Sequence, residues 1–164
     1  MERILCLAIG YVCGLFQTGY LYGKMNGIDI RQHGSGNSGT TNALRVLGKK
    51  AGAIVFLGDV LKVVVAMLIA HYVLGGGPLH EGKSLLWMLY AGFGAVLGHN
   101  YPFYLNFKGG KGIAVTAGVI LMLDWRITLV CRFSYNGLSA VRYMSTGLSN
   151  SFFRYLTNIS AVSI

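Results

Sequence analysis

Small, polar and flexible residues interrupt this apolar chain between Gly34 and Arg45, in the stretch GSGNSGTTNALR. Its glycines can adopt positive φ angles and let main-chain N–H groups converge on an anion. Arg45 adds a planar guanidinium suited to bidentate phosphate contact. One of the residues from Thr40 to Asn42 is predicted to cap a helix that begins near Ala43. The stretch predicts an anion site; the alternative is a flexible Gly/Ser linker.

A second candidate site is FKGGKG, residues 107–112, which follows GHNYP at residues 98–102. Lys108 and Lys111 place two ammonium groups around glycine backbone that can approach a ligand closely. The apolar residues from Ile113 onward predict another helix N-terminus there. The alternative is a basic interfacial turn that only sets membrane topology. Two such loops predict two phosphorylated ligands, or one ligand held at both ends.

Four further groups are weaker candidates for chemistry. Asp59 and Lys62 lie one helical turn apart in an apolar stretch, where charge is costly, so they are predicted to neutralise each other. His99 and His33 are weak candidates for a general base. The sequence shows no carboxylate pair, Ser-His-Asp set or metal-ligand cluster, so hydrolase chemistry, a metal and a cofactor are not expected.

The stretch GPLHEGKS, residues 77–84, satisfies the nucleotide-binding pattern G-x-x-x-x-G-K-[ST]. That pattern functions between a strand and a helix of an α/β sheet. Here it connects two apolar stretches and nothing else suggests a nucleotide site. ATP binding is therefore not expected.

The composition indicates that lipid is the main solvent of this chain. Only 12% of its 164 residues are charged, against about a quarter in soluble domains. The net charge is +9, and the basic residues lie in loops beside apolar stretches. Cytoplasmic retention of these loops and binding of small anions explain that charge better than nucleic acid does.

Four apolar stretches are long enough to cross a hydrocarbon core of about 30 Å, and each must be helical because lipid offers backbone groups no partners. The predicted spans are Ile4–Gly23, Ala51–Leu74, Leu85–Tyr104 and Ile113–Val130. Three G-x-x-x-G pairs predict close helix packing, and they are Gly10/Gly14, Gly19/Gly23 and Gly94/Gly98. The predicted fold class is an all-α polytopic transmembrane helix bundle with at least four spans.

Loop charge predicts the orientation of this bundle. Residues 24–50 carry five basic residues and one acid, and residues 102–112 carry two lysines and no acid. In residues 75–84, Lys83 is balanced by Glu81. The positive-inside rule places the N-terminus outside and both glycine-rich loops in the cytoplasm.

The apolar pattern decays after residue 131. The predicted domains are a membrane-embedded helical domain, residues 1–131, and a divergent tail, residues 132–164. Interfacial helix, loop and disordered tail all remain open for the second segment.

The quoted motifs resemble those of the bacterial acyl-phosphate-dependent glycerol-3-phosphate acyltransferases, the PlsY family. Residues 34–45, 48–50 and 58–62 resemble the first motif region of that family, and Gly98-His99-x-x-Pro102 followed by residues 107–112 resembles its second motif. The resemblance covers roughly residues 4–124.

The resemblance implies a bacterial inner-membrane enzyme of phospholipid biosynthesis. It would transfer an acyl group from acyl phosphate to the 1-hydroxyl of glycerol 3-phosphate, giving lysophosphatidic acid and phosphate. The enzyme that produces acyl phosphate is an implied partner. Because no strong general base is visible, we hypothesise that the phosphate of the acceptor takes the hydroxyl proton. The alternative function is a non-catalytic membrane anion-binding protein or a transporter component.

The resemblance also assigns roles to the matched positions. Catalytic roles fall to Ser35, Arg45 and Lys111, and supporting roles to His99, Asp59 and Lys62. Glycerol 3-phosphate is expected at Ser35, Asn37, Thr41, Asn42 and Arg45. Acyl phosphate is expected at Lys108, Gly109, Gly110, Lys111 and Gly112. Ser38 falls where the family pattern is loose and carries no prediction.

The far end of the chain departs from the family pattern. Family members continue into further spans and a third cytoplasmic motif with a His and an Asn, whereas no H-x-x-N occurs here before Ile164. A shifted reading frame, a truncated gene or divergence would each produce this. One hypothesis is an acyltransferase that is inactive in its present form. Reading the other two frames beyond Val130 tests the frame-shift explanation, which fails if they encode neither an apolar span nor a His/Asn motif.

Overall fold

A computed structural model describes residues 1–74 and 82–123 of the chain. Its helices are α1 (Glu2–Gly14), α2 (Thr18–Met25), α3 (Thr40–Leu47), α4 (Lys49–Val73), α5 (Gly82–Asn100) and α6 (Ile113–Leu123). Two short 3-10 helices cover Ile30–Gln32 and Phe103–Leu105. No strand occurs in these two ranges, as the all-α prediction requires. The predicted tail domain, most of GPLHEGKS and the end of the fourth predicted span lie outside the described residues.

Within the described residues, two helical stretches are long and apolar enough to cross a membrane. They are Glu2–Met25, with a mean hydropathy of 1.7, and Lys49–Val73, with a mean hydropathy of 2.4. The third predicted span corresponds to α5, which ends at Asn100 instead of Tyr104. The fourth corresponds to α6, described as far as Leu123. A total of four spans therefore stays a prediction.

The first predicted span is not one helix, because residues 15–17 interrupt it between α1 and α2. The interruption has no proline and is stabilised from outside. The hydroxyl of Tyr104 donates to the carbonyl of Leu15 at 2.6 Å, and the ammonium of Lys62 donates to the carbonyl of Phe16 at 2.7 Å. Carbonyls that leave the helical ladder thus find donors on distant segments, which an apolar environment requires.

Helices α1 and α5 pack at backbone contact through two of the predicted glycine pairs. A Cβ atom at Gly10 would collide with the carbonyl oxygen of Ala91, and one at Gly94 would collide with the carbonyl oxygen of Leu7. The other members of these pairs meet their partner helix in the same way. Close packing is therefore confirmed for two pairs. In the third, Gly19 approaches the Ser38 carbonyl in the first motif loop, and a Cβ atom there would also lie 3.3 Å from the Val55 side chain of α4.

The main apolar core lies among α1, α4, α5 and α6, and its small side chains allow the helices to approach closely. Its fully buried members include Cys6, Val63, Ala66, Met67, Ala70, Met88, Ala91, Ala95 and Val115. On the outer side of α4, large apolar side chains such as Leu57 and Leu61 are exposed. An apolar outer face on an apolar helix is typical of contact with lipid.

Candidate anion-binding site

Asn42 organises the first glycine-rich loop from inside. Its side-chain oxygen accepts a hydrogen bond from the Ser35 N–H at 2.8 Å. Its amide nitrogen lies 2.8–3.0 Å from the carbonyl oxygens of Ile30, His33 and Asn37. Asn42 is buried, and these contacts occupy its polar atoms. Asn42 thus braces the loop, and its predicted contact with a ligand stays a prediction.

Helix α3 begins earlier than predicted and without the predicted cap. It starts at Thr40, and its N-cap is Gly39, which has no side chain to donate or accept. The side-chain oxygen of Asn37 instead accepts from the Gly39 N–H at 2.8 Å. Such a turn competes with the helix for backbone groups and places the boundary just after Gly39. Ahead of it, Gly34 and Gly36 have positive φ angles of 61° and 70°, the conformation that the glycine content predicted.

The second glycine-rich loop is fastened to the C-terminal end of α5. The N–H of Gly109 donates to the Asn100 carbonyl at 3.1 Å, and the N–H of Gly110 donates to the His99 carbonyl at 3.0 Å. A Cβ atom at Gly110 would overlap the imidazole of His99. These two glycines therefore permit close packing inside the protein, and their N–H groups bind backbone carbonyls. Lys108 and Lys111 remain exposed.

The two glycine-rich loops contact each other at one end of the helix bundle. The side-chain amide of Asn37 donates to the carbonyl of Gly109 at 3.3 Å. A Cβ atom at Gly39 would lie 4.0 Å from the backbone nitrogen of Lys111. Residues more than 70 positions apart in the chain therefore form one surface. The exposed members of the two predicted ligand sets are Ser35, Thr41, Arg45, Lys108 and Lys111.

Asp59, Lys62 and His99 form a buried polar cluster beneath this surface. The Lys62 ammonium lies 2.9 Å from an oxygen of Asp59 and 2.7 Å from Nδ1 of His99. Thr18 donates to the same Asp59 oxygen at 3.4 Å. The predicted Asp59–Lys62 pairing is confirmed. Nδ1 of His99 also lies 3.6 Å from the same Asp59 oxygen, so Lys62 and Asp59 occupy the Nδ1 side of the ring and that nitrogen faces the protein interior.

Gln17 connects the two loops and was not identified from the sequence. It is fully buried, donates to the His99 carbonyl at 2.8 Å and accepts from the Ser38 hydroxyl at 3.0 Å. Ser38, which carried no prediction, thus attaches the first loop to the end of α5. The available signal was a single amide side chain inside an otherwise apolar stretch, since a polar group in lipid requires a partner.

Arg31 lies near the first loop, but its charge is neutralised locally. Its guanidinium contacts Asp29 through two bonds of 3.0 and 2.8 Å, and its carbon centre lies 4.7 Å from the Tyr20 ring centroid. Hydrogen bonding from Arg31 lowers the pKa of Asp29 to about 2, and the same carboxylate raises the pKa of Arg31. Within residues 1–74 and 82–123, the basic members of the predicted ligand sets that remain exposed are Arg45, Lys108 and Lys111.

The chain is similar in sequence to proteins named glycerol-3-phosphate acyltransferase. The sequence profile with this description matches residues 4–161, so the similarity extends beyond residue 124. The protein of that name from Alkaliphilus metalliredigens is 41% identical over 155 residues, with 88% of this chain and 75% of the relative covered. The one from Clostridioides difficile is 42% identical over 146 residues, with 88% and 70% covered. The one from Exiguobacterium sibiricum is 46% identical, with 82% and 62% covered.

Solved structures show the same architecture. The crystal structure of PlsY (YgiH), an integral membrane glycerol 3-phosphate acyltransferase, in its glycerol 3-phosphate form matches with a TM-score of 0.70 at 34% identity, covering 84% of this chain and 66% of that chain. Its lysophosphatidic acid form matches with a TM-score of 0.65 at 35% identity, and the match covers 79% of this chain and 61% of that chain. This chain thus spans slightly less than two thirds of the solved protein. The profile match over nearly the whole length, together with relatives above 40% identity, shows that the chain belongs to the glycerol-3-phosphate acyltransferase family.

Proposed function

We propose that this chain is a membrane acyltransferase that moves an acyl group from acyl phosphate to the 1-hydroxyl of glycerol 3-phosphate. The observation that carries the proposal is the contact between Asn37 and Gly109, which joins two basic, glycine-rich loops into one surface. Both substrates carry a phosphate, so this surface offers each of them a cationic partner. A relative solved in a glycerol 3-phosphate form and a lysophosphatidic acid form supports the identity of the acceptor and of the product.

The exposed side chains divide between the two substrates. Ser35, Thr41 and Arg45 in the first loop and α3 would bind the phosphate of glycerol 3-phosphate, with Arg45 as the bidentate partner. Lys108 and Lys111 in the second loop would bind the acyl phosphate. Asn37 and Asn42 would act by holding the backbone of the first loop in place, and Gly109, Gly110 and Gly112 by letting the second loop lie close to α5.

The chemistry requires charge stabilisation more than a protein base. The acceptor hydroxyl oxygen attacks the acyl carbon, the bond from that carbon to the phosphate oxygen breaks, and phosphate leaves with the bonding electrons. The hydroxyl proton passes to the phosphate of the acceptor. Arg45 and Lys111 stabilise the negative charge that develops on the leaving phosphate. This scheme assigns no proton transfer to His99, whose Nδ1 atom faces Lys62.

The proposed setting is the inner membrane of a bacterium, with four or more spans, an external N-terminus and both loops in the cytoplasm. Two apolar helical stretches and the integral membrane relative support membrane insertion, and the excess of basic residues in the loops supports the orientation. The acyl chain could then stay in the bilayer while its phosphate meets the loops. The enzyme that supplies acyl phosphate is the proposed partner. Residues 132–164 are proposed as a separate tail, and a chain inactive without the third motif remains the competing hypothesis.

A direct assay tests the function. The intact chain in phospholipid nanodiscs receives acyl phosphate and glycerol 3-phosphate, and lysophosphatidate formation is measured. Arg45→Ala removes a charge-assisted contact worth about 1.5–3 kcal/mol, so kcat/KM is expected to fall about 10- to 100-fold. Lys50→Ala, which removes an exposed base outside the proposed ligand set, should stay within about twofold of the unaltered chain.

The competing functions give different results in the same preparation. Binding of glycerol 3-phosphate without any lysophosphatidate indicates an anion-binding protein or an inactive enzyme. Flux of glycerol 3-phosphate into sealed vesicles indicates a transporter component. An equal fall of kcat/KM in the Arg45 and Lys50 variants would contradict the proposed role of Arg45.

A further inference from the structure

The Lys62 side chain has as many acceptors around it as an ammonium has hydrogens. Its Nζ atom lies 2.9 Å from Asp59 Oδ1, 2.7 Å from the Phe16 carbonyl oxygen and 2.7 Å from Nδ1 of His99. An ammonium carries three N–H donors and no acceptor. One hydrogen is thus available for each of the three atoms, and the negative Asp59 balances the charge inside the bundle.

The Lys62 ammonium, at 2.7 Å, is closer to Nδ1 of His99 than the Asp59 oxygen is, at 3.6 Å, which favours Nδ1 as an acceptor. A neutral imidazole has one N–H and one unprotonated nitrogen. If Nδ1 accepts from the Lys62 ammonium, the hydrogen must be on Nε2. His99 is almost fully buried, and its Nε2 edge faces Gly110, because a Cβ atom there would meet Nε2 and Cε1. The N–H therefore points toward the second glycine-rich loop.

The main chain of His99 is tied to the second glycine-rich loop and to Gln17. The His99 carbonyl accepts from Gly110 N–H at 3.0 Å and from the Gln17 side chain at 2.8 Å. The ring and the loop are consequently attached to the same residue of α5. The ring itself is held by Lys62 at Nδ1 and by its packing against Gly110.

We propose that Lys62 is a positioning residue whose ammonium holds His99 as the Nε2–H tautomer, so that His99 presents a fixed hydrogen-bond donor to the anion-binding loop at Gly110. The kinetic part of this proposal rests on the proposed function, because it needs turnover. The tautomer of His99 can be measured without turnover. The donor strengthens the positive character of the second loop without adding a net charge inside the membrane. It also gives Asp59 and Lys62 a use beyond mutual neutralisation.

Nitrogen-15 NMR of the intact, histidine-labelled chain in phospholipid nanodiscs tests the tautomer directly. The His99 signals are assigned by their loss in His99→Asn. We expect Nδ1 without hydrogen and Nε2 with hydrogen in the unaltered chain. In Asp59→Asn/Lys62→Met, a neutral pair of similar volume, the preference is expected to be lost. A hydrogen on Nδ1 in the unaltered chain, or signals unchanged in the double variant, overturns the proposal.

Kinetics provide a second readout that a purely structural ion pair would not move. Because the double variant keeps the interior neutral, it is expected to fold, and a cooperative thermal transition verifies this. We expect at least a fivefold rise in KM for acyl phosphate and less than a twofold change in KM for glycerol 3-phosphate. Leu61→Met, at an exposed position of α4, is the matched control and should change neither constant. Unchanged constants in a folded double variant contradict the proposal.

A pair of substitutions at His99 separates its two nitrogens. His99→Gln can place an N–H near the Nε2 position, whereas His99→Asn places a polar group only near the Nδ1 position. The Gln variant is expected to keep a KM for acyl phosphate closer to that of the unaltered chain, and the reverse order contradicts the proposal. If the unaltered chain forms no lysophosphatidate, the proposed function fails, while the NMR result still decides the tautomer.

Discussion

At the scale of single residues, several polar side chains in the ligand loops bind the protein itself. Asn42 accepts from the backbone of Ser35 and contacts three carbonyl oxygens, and Asn37 binds Gly39 and Gly109. Loops rich in glycine lack side-chain packing, so amide side chains hold their backbone in one conformation. A glycine-rich loop can therefore contain residues that brace its backbone beside residues that stay exposed to a ligand.

Replacing Asn42 with aspartate is expected to destabilise the first loop. Aspartate keeps the oxygen that accepts from Ser35 but cannot donate to carbonyls, and each unpaired buried polar group costs about 1–3 kcal/mol. We expect a lower midpoint of thermal unfolding and weaker binding of glycerol 3-phosphate. Both are measured for the variant and the unaltered chain in one detergent. Asn26→Asp is the matched control: Asn26 also donates to a carbonyl, that of Tyr22 at 2.7 Å, but it is exposed and should change stability by less than about 0.5 kcal/mol. Equal effects in the two variants would contradict the bracing role.

The Asp29–Arg31 pair is expected to make the free energy of unfolding decrease at acidic pH. The pKa of Asp29 is lowered to about 2 in the folded chain, against about 3.9 when unfolded. Its contribution is therefore complete above about pH 4 and is lost as the pH falls through about 2. Because the pair is partly exposed to solvent, that contribution is below about 1 kcal/mol.

Thermal unfolding at several pH values checks this expectation. Asp29→Asn should lower the midpoint slightly at pH 7 and match the unaltered chain near pH 2. A difference that persists unchanged at pH 2 would show that the ionised carboxylate is not the cause.

At the scale of elements, the α1–α5 interface determines where the second loop begins. The two helices touch through glycines on both sides, so neither can shift without collisions between backbones. Close approach of this kind compensates for the lack of a hydrophobic driving force between helices in lipid. The end of α5, with His99 and Asn100, is thereby positioned for the second loop.

Gly10→Val is expected to destabilise this interface strongly. A side chain there meets the carbonyl of Ala91, and overpacking typically costs about 1–3 kcal/mol, with a larger cost when backbone must move. The free energy of unfolding, measured by denaturant titration in mixed micelles, should fall accordingly. Ala8→Val adds a side chain of the same type on the exposed face of α1 and should be nearly neutral. A neutral Gly10→Val would contradict the close packing.

At the scale of the whole molecule, the contact between the loops has a consequence for topology. Loops that hydrogen-bond to each other must lie on the same side of the membrane, whichever side that is. The connection between α4 and α5 leads from the opposite ends of these helices. The start of α5 is therefore expected on the other side of the membrane from the two glycine-rich loops.

Labelling of introduced cysteines tests that topology. In a background where Cys6, Cys13 and Cys131 are replaced by serine, Asn37→Cys and Lys111→Cys should react with an impermeant maleimide in inverted vesicles and not in intact cells. Lys83→Cys, at the start of α5, should show the opposite pattern. Reaction of Asn37→Cys and Lys111→Cys from opposite sides would contradict both the shared surface and the proposed function.

The sequence by itself determined the local features of this protein. Hydropathy marks α4 and the course of α1, α5 and α6, and the glycine pairs predict the α1–α5 contact, because each of these signals is contained within a few turns. The Asp59–Lys62 pair is also local, since its members are one turn apart. Composition alone predicts only that small anions bind. The resemblance of the motifs to a known family added which phosphorylated ligands to expect.

Only the tertiary structure decided how distant groups divide their hydrogen bonds. The interruption between α1 and α2, the bracing by Asn42, and the use of the Gly109 and Gly110 N–H groups by α5 depend on such contacts. Gln17 and His99, for example, bind each other across 82 positions of the chain. A donor in a motif can serve a ligand or the protein, and the residue type is the same in both cases. The partner is set by the packing of remote segments, which no local pattern encodes.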